Sequence, residues 1–529
     1  MQQKLSKRIQ KNTIWLIVIA SAVRMVLALS LELGNDEVYY WTYALYPDWS
    51  HFDHPAMVGW IAQVFSLNLF LKDDFFLRLG PIVLSAASTW SLFNLVSRIK
   101  NELAGFYAAC LFVGSIYFSV ITGFSFIPDG PLIFFWVLAM NAAFKFLSVE
   151  EIDGEAKKQI LLFGAFTGLA MLSKYQGAFL WIGVVVYVIL FNRKWLKEIT
   201  FFLSGIISAI FLLPIVTWNW QNNFISFTFH GGRVAPSYGL RLDYFLAEIG
   251  GQIVYSNPIV FVLIIIALVA RFKGMRSLPA SQNRILWMFF LPLWLVFTGF
   301  SLFRSTLPHW TAPAFLPLII FAACFYADKH VQQNFPEGKL VRPLKILLPV
   351  YFLFILLVAA LYIINLSPLQ LGKKSSVQTF GEDDFTQDLY GWNQVKEAFK
   401  KISNREESKG TMIEGTALVS NKWFPASHLD FYVAQPNQRN LFVIGPLNDV
   451  HKYAWVNRER GGLKKNESYY HIALSNLYRD PNELFGKYFE QVVPIDTIAI
   501  TRAGQPMRYA FFYELKNYNG TFADPLSNE

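Results

Sequence analysis

Two short segments near the amino end of the chain crowd ionisable side chains among aromatic ones. Asp36 and Glu37 stand directly before Val38-Tyr39-Tyr40-Trp41, and Phe52-Asp53-His54-Pro55 follows about fifteen residues later. Both segments adjoin long apolar runs, where charged groups are costly to desolvate and usually persist because chemistry needs them. A carboxylate within hydrogen-bond reach of a hydroxyl is the simplest base that can remove its proton. The segments therefore predict acid–base chemistry beside a membrane.

Further ionisable residues stand at the ends of later apolar runs or in the loops between them. A cation in such a place binds a phosphate or pairs with a carboxylate. An acid or an imidazole there lines a pocket through hydrogen bonds. The additional candidates are Asp129, Lys174, His230, Arg233, Arg304 and His309.

The composition indicates what kind of protein carries these residues. Of its 529 residues, 54% are hydrophobic and 17% aromatic, which is more apolar surface than a globular core hides. We therefore predict an all-α polytopic membrane protein. The net charge of +9 does not indicate nucleic-acid binding, because most Lys and Arg fall in short loops between apolar runs. Cys110 and Cys324 lie inside apolar runs, which predicts core packing and neither a disulfide nor a zinc site.

Eleven apolar runs come near the length of about twenty residues that a membrane-spanning helix needs. With the basic amino terminus in the cytoplasm, the inward-facing segments hold about nineteen Lys and Arg and the outward-facing segments about five, as the positive-inside rule requires. The fifth and sixth runs are separated only by residues 174–176, so one merged span is the alternative. The runs lie near 13–31, 76–97, 103–122, 130–148, 159–173, 176–191, 199–218, 253–270, 285–303, 308–327 and 344–365.

This topology predicts where the candidate residues lie. Those named above all fall on the extracytoplasmic side, although they come from separate loops. A single composite site on that face is the economical explanation. The odd number of spans also places the carboxyl terminus outside, and we expect a multi-pass membrane protein.

The composition changes near Ser367, where apolar runs shorten and charged residues increase. We predict a transmembrane catalytic domain over 1–366, whose first outer loop (32–75) contains interfacial helices, and a soluble C-terminal domain over 367–529. Short β-rich runs between Pro, Gly and Asn turns predict a small α/β domain. These runs are 417–419, 431–433, 441–444, 491–493 and 509–513.

Several of these segments resemble the GT-C glycosyltransferases. The resemblance rests on the Asp-Glu-x-Tyr-Tyr-Trp turn, the later Phe-Asp-His-Pro, the Pro128-Asp129 element, and an Arg304…Trp310…Pro313 pattern. The sequence looks closest to the bacterial branch with the aminoarabinose transferases and the protein O-mannosyltransferase relatives. Many relatives have a second proline after Pro55, where this chain has Ala56.

The resemblance implies a fold, a donor and a set of roles. It implies a GT-C fold in a bacterial cytoplasmic (inner) membrane. It also implies an inverting transfer of a sugar from a polyprenyl-phosphate carrier to a lipid, protein or glycan acceptor. Asp36 would activate the acceptor, with Glu37 and Asp129 also catalytic. Arg304 and Lys174 would hold the leaving phosphate, whose charge grows in the transition state. The proposed sugar or phosphate contacts are Asp53, His54, His230, Arg233 and His309. A divalent cation, Mg²⁺ or Mn²⁺, stays open.

Each acid also has a plain structural explanation. Asp36 and Glu37 could cap a helix beginning at Val38, and Asp53 or His54 could cap the helix after Pro55. Asp129 could likewise cap the fourth span, and Lys174 could extend to the membrane surface. The segment from Asn219 to Gln252 reads as a loop long enough to form a lid.

Two other classes of function compete with an enzyme. A transporter or flippase for a lipid-linked or anionic solute would place ionisable groups at mid-membrane in broken helices with inverted repeats, and no repeat is apparent. A membrane scaffold whose C-terminal domain binds cell-wall glycan is the third possibility. The sequence contains no phosphate-binding glycine loop and no dinucleotide fingerprint, which suits a reaction driven by an activated lipid-linked sugar.

Overall fold

The computed structural model describes residues 2–234, 239–332 and 344–527. Over these ranges the chain is mainly helical. The helices are α1 (Gln2–Ser30), α2 (Asn35–Leu45), α3 (Met57–Phe65), α4 (Asp74–Ile99), α5 (Glu102–Gly114), α6 (Asp129–Leu147), α7 (Gly154–Ser173), α8 (Ala178–Phe191), α9 (Ile199–Gln221), α10 (Ile225–Val234), α11 (Leu242–Ser256), α12 (Pro258–Phe272), α13 (Ala280–Phe300), α14 (Phe315–Gln332), α15 (Leu344–Asn365), α16 (Trp392–Ser408), α17 (Trp423–His428), α18 (Leu447–Val450), α19 (Tyr453–Glu459) and α20 (Pro481–Phe485). The strands are β1 (Leu418–Ser420), β2 (Leu441–Val443), β3 (Tyr469–Leu474), β4 (Phe489–Arg502) and β5 (Gln505–Tyr518).

Long apolar helices confirm that the chain is a multi-pass membrane protein. Within the described ranges, seven helical segments are long and apolar enough to cross a membrane, or eight if one bent pair forms a single span. Each of the eleven predicted runs contains helix, but α5 and α8 have only 13 and 14 residues. The number of eleven crossings stays a prediction.

One predicted span is not a single straight helix. The run 253–270 is interrupted at Asn257, where α11 and α12 meet at a bend of 100°. Pro258 opens α12 and Asn257 adopts a left-handed φ of 69°, which together end one helix and start another. The Asn257 side chain donates to the carbonyls of Gly114 and Pro349, and so satisfies backbone groups that lack helical partners.

By its internal contacts the chain divides into two compact units. The first contains residues 1–26 and 48–357, and the second contains residues 27–47 and 358–529. The second unit thus includes α2 with Asp36 and Glu37, although these residues lie far from the C-terminal segment in sequence. The predicted functional division at 366/367 stays a prediction.

Small residues allow close helix packing in the first unit. The Ser204 hydroxyl in α9 donates to the carbonyl of Ile160 at 2.5 Å, and Ser208 donates to that of Gly164 at 2.6 Å. A Cβ on Gly164 would collide with the backbone of Ser204, so α7 and α9 approach closely only because this position is glycine. Contacts of this kind stabilise helix pairs in membranes.

The second unit contains a five-stranded mixed sheet in the order β2-β1-β3-β5-β4. Strands β1, β2 and β3 are parallel, and β5 pairs antiparallel with both β3 and β4. The prediction of an α/β domain is confirmed, and four of the five predicted runs contain strand residues. The run 431–433 is wrong, because residues Leu429–Ala434 form a helical turn. Strand β3 was not predicted.

Acid should weaken this sheet through His471. This side chain is buried in β3, with its Nδ1 2.8 Å from the carbonyl oxygen of Val419 in β1. Burial lowers the pKa of His471 to about 4, from 6.5 in the unfolded chain. Because the folded pKa is the lower one, the stabilisation is complete above pH 6.5 and is lost as the pH falls towards 4.

We therefore expect His471 to account for a loss of about 3 kcal/mol in the free energy of opening β3 between pH 7 and pH 4. Hydrogen exchange of a peptide covering β3, corrected for the intrinsic exchange rate, measures this loss. His471→Asn keeps a donor near the Nδ1 position without titrating, so it should flatten the acid dependence. An unchanged dependence in His471→Asn would contradict the assignment.

Candidate active site

A buried ion pair joins the start of α6 to the turn after α7. Lys174 Nζ donates to Asp129 Oδ2 at 2.7 Å, and the two side chains are 6% and 3% exposed. The Tyr117 hydroxyl donates to the other carboxylate oxygen at 2.8 Å. The structure thus contradicts two of the plain explanations, because Asp129 does not cap α6 and Lys174 does not extend to a surface. Lys174 and Asp129 therefore form a cation and an anion held side by side.

Helix α10 holds the loop that carries Asp53. The Ser226 hydroxyl donates to the carbonyl of His51 at 3.0 Å, and His230 Nε2 lies 2.7 Å from the carbonyl oxygen of Asp53. Phe229 packs on the ring of Phe52 with centroids 4.6 Å apart. The polar face of α10 therefore fixes the backbone of this loop.

His54 lies within electrostatic range of the ion pair. Its ring is 6.0 Å from that of His230, and it interacts with the charges of Asp53, Lys174 and Asp129. Burial lowers the pKa of His54 to about 3, so the imidazole is neutral at pH 7. Neither Asp53 nor His54 caps α3, which begins at Met57 after Ala56 without a side-chain cap.

Arg304 and His309 belong to the same region of the first unit. Arg304 Nη1 donates to the carbonyl of Gly232 at 2.5 Å, in the helix that also carries His230. His309 lies in the helical turn Pro308–Trp310 and interacts electrostatically with Asp129. The side chain of Arg233 lies outside the described residues. The first unit therefore brings six of the predicted residues together: Asp129, Lys174, Asp53, His54, His230 and His309, with Arg304 tied to α10.

The buried carboxylate of Glu248 positions the segment that contains His309. It accepts hydrogen bonds from Thr306 at 2.7 Å and from Thr311 at 2.5 Å, on either side of the turn, and from Gln252 at 2.9 Å. A Cβ on Gly251 would collide with the ring of Pro308, so α11 and this turn are in direct contact. Glu248 is 1% exposed.

Sequence reasoning missed three polar residues of this region. Tyr117 and Glu248 lie within helical or apolar segments, where only their tertiary partners reveal a role. Arg78 is fully buried near the start of α4, with its guanidinium 4.5 Å above the ring of Phe124. An arginine within an apolar run is the signal that could have found it, because such residues rarely persist without function.

The expected lid is not a simple loop. Residues 219–252 contain the end of α9, all of α10 and most of α11. Residues 235–238 of the predicted segment lie outside the described residues. Most of this segment is therefore helical, and its role as a lid stays a prediction.

Asp36 and Glu37 occupy the first turn of α2 in the second unit. The helix begins at Asn35 and not at Val38. The Glu37 carboxylate accepts a hydrogen bond from the Gly34 amide at 2.8 Å, and Glu37 is only 4% exposed. Glu37 therefore has the capping role, whereas the side chain of Asp36 is exposed.

The C-terminal part of the second unit forms hydrogen bonds with residues at both ends of α2. Before the helix, Leu33 is bonded through its amide to the Tyr432 hydroxyl at 2.6 Å and through its carbonyl to His428 at 3.0 Å. Asn35 donates to Asp388 at 2.9 Å. After the helix, the Tyr46 hydroxyl accepts from Arg460 at 2.9 Å. A network with this many members orients a segment more firmly than any one bond.

Contacts between aromatic rings also hold the middle of α2 against the C-terminal part. Tyr39 packs against Trp423 at 5.0 Å and against His451 at 6.0 Å, and Trp41 packs against Phe431 at 5.2 Å. Trp423, Phe431 and His451 all belong to the C-terminal part of the unit. The exposed Asp36 therefore stands on a helix whose aromatic face is buried.

A metal site is not apparent in the ranges that the structure describes. No group of three or more His, Cys, Asp or Glu side chains there has an arrangement that would hold an ion. A requirement for Mg²⁺ or Mn²⁺ therefore stays open, as in the sequence analysis.

Breaking the Asp129–Lys174 pair from one side should be costly. Lys174→Met leaves a buried carboxylate without its cation, and we expect a loss of about 3 to 5 kcal/mol in the free energy of unfolding. Asp129→Leu combined with Lys174→Met should recover much of that loss. Lys157→Met is the control, because its pair with Glu198 is 42% and 28% exposed and should contribute less than about 1 kcal/mol. Denaturant unfolding measures these differences, and equal losses for the control and Lys174→Met would refute the prediction.

Removing Glu32 should loosen α2. The Glu32 carboxylate accepts from the amides of Trp392 and Asn393 at 2.8 and 2.9 Å, at the positive end of α16. We expect Glu32→Ala to raise hydrogen exchange in residues 33–45 by about tenfold. Glu397→Ala is the control, because that side chain is 62% exposed and its ion pair with Lys396 is long, at 3.8 Å. The same exchange rate in both variants would mean that Glu32 does not anchor the helix.

Comparison with known proteins adds a partial family match and a fold to this geometry. Residues 53–218 match the family model described as dolichyl-phosphate-mannose-protein mannosyltransferase. This range contains Asp53, His54, Asp129 and Lys174. No curated protein sequence matches the chain significantly.

Two solved structures share the fold over nearly the whole chain. The apo crystal structure of ArnT from Cupriavidus metallidurans has 13% sequence identity and a TM-score of 0.61, and covers 98% of this chain and 99% of its own. The structure of the same protein bound to undecaprenyl phosphate has 14% identity and a TM-score of 0.59, with 97% and 98% covered. At these identities the likeness shows the fold. The chain therefore resembles this mannosyltransferase family over residues 53–218 and shares the fold of ArnT over nearly its whole length.

Proposed function

We propose that this protein transfers a sugar from a polyprenyl-phosphate carrier to a hydroxyl or phosphate on an extracytoplasmic acceptor, with inversion at the anomeric carbon. The observation that carries the proposal is the buried Asp129–Lys174 pair, which lies among His54, His230 and His309 in the first unit. The structure of ArnT with undecaprenyl phosphate supports the class of donor. The acceptor would be a lipid, a protein or an envelope glycan. We propose the bacterial inner membrane as the location.

The cations have a direct role in this reaction. As the glycosidic bond breaks, negative charge grows on the leaving phosphate, and a cation already in place stabilises it without reorganisation. Lys174 would act from its buried position, where Asp129 and Tyr117 fix the charge. Arg304 would add a planar guanidinium that binds two phosphate oxygens at once. Each oxygen of the Asp129 carboxylate accepts one hydrogen bond, from Tyr117 or from Lys174, so its proposed part is to hold Lys174.

The imidazoles suit contacts with sugar hydroxyls. A neutral imidazole both donates and accepts hydrogen bonds, and burial keeps His54 neutral at pH 7. Such contacts would orient the sugar without adding charge near an oxocarbenium-like transition state. Asp53, His230, Arg233 and His309 are proposed to complete this pocket, and Glu248 to position His309.

Asp36 is the proposed base. Its side chain is exposed while that of its neighbour Glu37 is engaged in capping, so Asp36 is the acid of this pair that can reach an acceptor. The anchoring of α2 at both ends would keep the carboxylate in one orientation, which general-base catalysis requires.

Transfer activity tests the proposal directly. The purified protein in lipid nanodiscs is given undecaprenyl-phosphate carriers of labelled mannose, aminoarabinose or galacturonate, together with lipid A, peptide or envelope-glycan acceptors. We expect one combination to yield a glycosylated product by mass spectrometry, and Asp36→Asn to lower its rate by about 10² to 10⁴. Asp383→Asn is the control, because Asp383 is 74% exposed and should leave the rate unchanged. Unaltered transfer by Asp36→Asn would remove Asp36 as the base.

A flippase is the second candidate because of one observation, the bend of 100° between α11 and α12. Broken helices of this kind are typical of transporters. Movement of an unmodified carrier lipid across the nanodisc or vesicle membrane, with no new glycosidic bond in any donor and acceptor combination, would favour the flippase over the transferase.

A further inference from the structure

A cavity of about 550 Å³ opens in the second unit beside its parallel strands. One wall is made by residues that directly follow strands, with Asn421 after β1 and residues 444–446 after β2. The other wall comes from the segment 479–488 around α20 and from residues 522–527 near the carboxyl end. All of these residues belong to one unit. None of them takes part in the transfer reaction proposed above.

The strand order explains why a cavity forms at this place. Strand β1 lies between β2 and β3, and all three run parallel. The connection after β1 leads to one side and the connection after β2 crosses to the other. Chain segments therefore diverge at the carboxyl ends of these strands. In open α/β sheets, ligands bind in the crevice outside such a point.

The charged groups at the cavity are nearly balanced. Asp449 pairs with Lys422 at 3.3 Å and Asp524 pairs with Arg458 at 2.5 Å, so two of the three lining acids are neutralised. Within the described ranges, the lining residues Arg479, Lys487 and Glu483 form no ion pair. Opposite charges of this kind on one rim do not favour a polyanion.

The remaining lining groups match the two faces of a sugar. Sugar hydroxyls both donate and accept hydrogen bonds, and the carboxylate of Glu483, the amide of Asn421 and the guanidinium of Arg479 offer both functions. Tyr488 and Phe522 line the cavity with their ring centroids 5.7 Å apart and their planes perpendicular. Lys487 Nζ lies 4.7 Å from the Tyr488 centroid, so the ring of Phe522 is the apolar wall against which the C–H face of a pyranose would pack. Pockets with an apolar wall and a few polar groups fix a ligand's orientation in this way.

We propose that this cavity binds a saccharide, at a site distinct from the residues assigned to sugar transfer. The site would hold a sugar residue of an extracytoplasmic glycan. This assignment does not depend on which donor or acceptor the transfer reaction uses.

Titration of the full-length protein in nanodiscs tests the proposal. The probes are mannotriose, chitotriose and a galacturonic acid trimer, with inorganic phosphate as a separate arm, and binding is followed by saturation-transfer NMR and calorimetry. We expect at least one trisaccharide to bind, and Glu483→Ala or Arg479→Ala to weaken it by about tenfold, because each variant removes a charged hydrogen-bond partner. Both side chains are exposed, so their removal should not unfold the domain.

Two further variants keep the test decisive. Ala523→Trp places a large ring in the cavity while all polar groups stay, and it should abolish binding. Lys464→Ala is the matched control, since this side chain is 73% exposed and lies outside the cavity lining; it should bind as the unaltered protein does. Absence of binding to every trisaccharide, binding that survives Ala523→Trp, or binding of phosphate alone would each overturn the proposal.

Discussion

The first unit depends on one electrostatic constraint, the burial of Lys174 against Asp129. Two charges taken out of water lose several kcal/mol of hydration each, and only close mutual contact with further hydrogen bonds offsets that loss. The 2.7 Å contact and the Tyr117 hydroxyl supply both. The start of α6 and the turn after α7 must therefore stay at a fixed separation. The charges of this pair also act on the nearby ring of His54.

The main constraint in the second unit is different: it must stabilise the short helix α2, which carries Asp36 and Glu37. A helix of 11 residues is too short to be stable alone. Buried rings and hydrogen bonds from residues 388–460 stabilise α2 instead. This arrangement gives the C-terminal segment a physical role in orienting Asp36 and explains why residues 27–47 group with it.

The two helices that meet at Asn257 show how the fold accommodates an interrupted helix. Unpaired backbone groups are costly in a membrane protein, and the Asn257 side chain satisfies two carbonyls of neighbouring elements. Helix α11 then places Glu248 beside the turn that carries His309. The bend, which is the feature most typical of a transporter, thus also serves the region proposed for transfer.

The membrane class, the α/β character of the C-terminal part and most of the polar residues that gather in the first unit were predictable from the sequence. These follow from local properties, namely the length of apolar runs, the position of Lys and Arg, and acids placed at helix ends. Tertiary structure alone decided which explanation holds for each acid, because Glu37 caps a helix whereas Asp129 binds a lysine 45 positions later. It alone revealed Glu248, whose threonine partners lie about 60 residues away. It also decided that residues 431–433 form a helical turn. Contacts between distant segments are not encoded in any local pattern, since they arise only when burial forces polar groups to find partners.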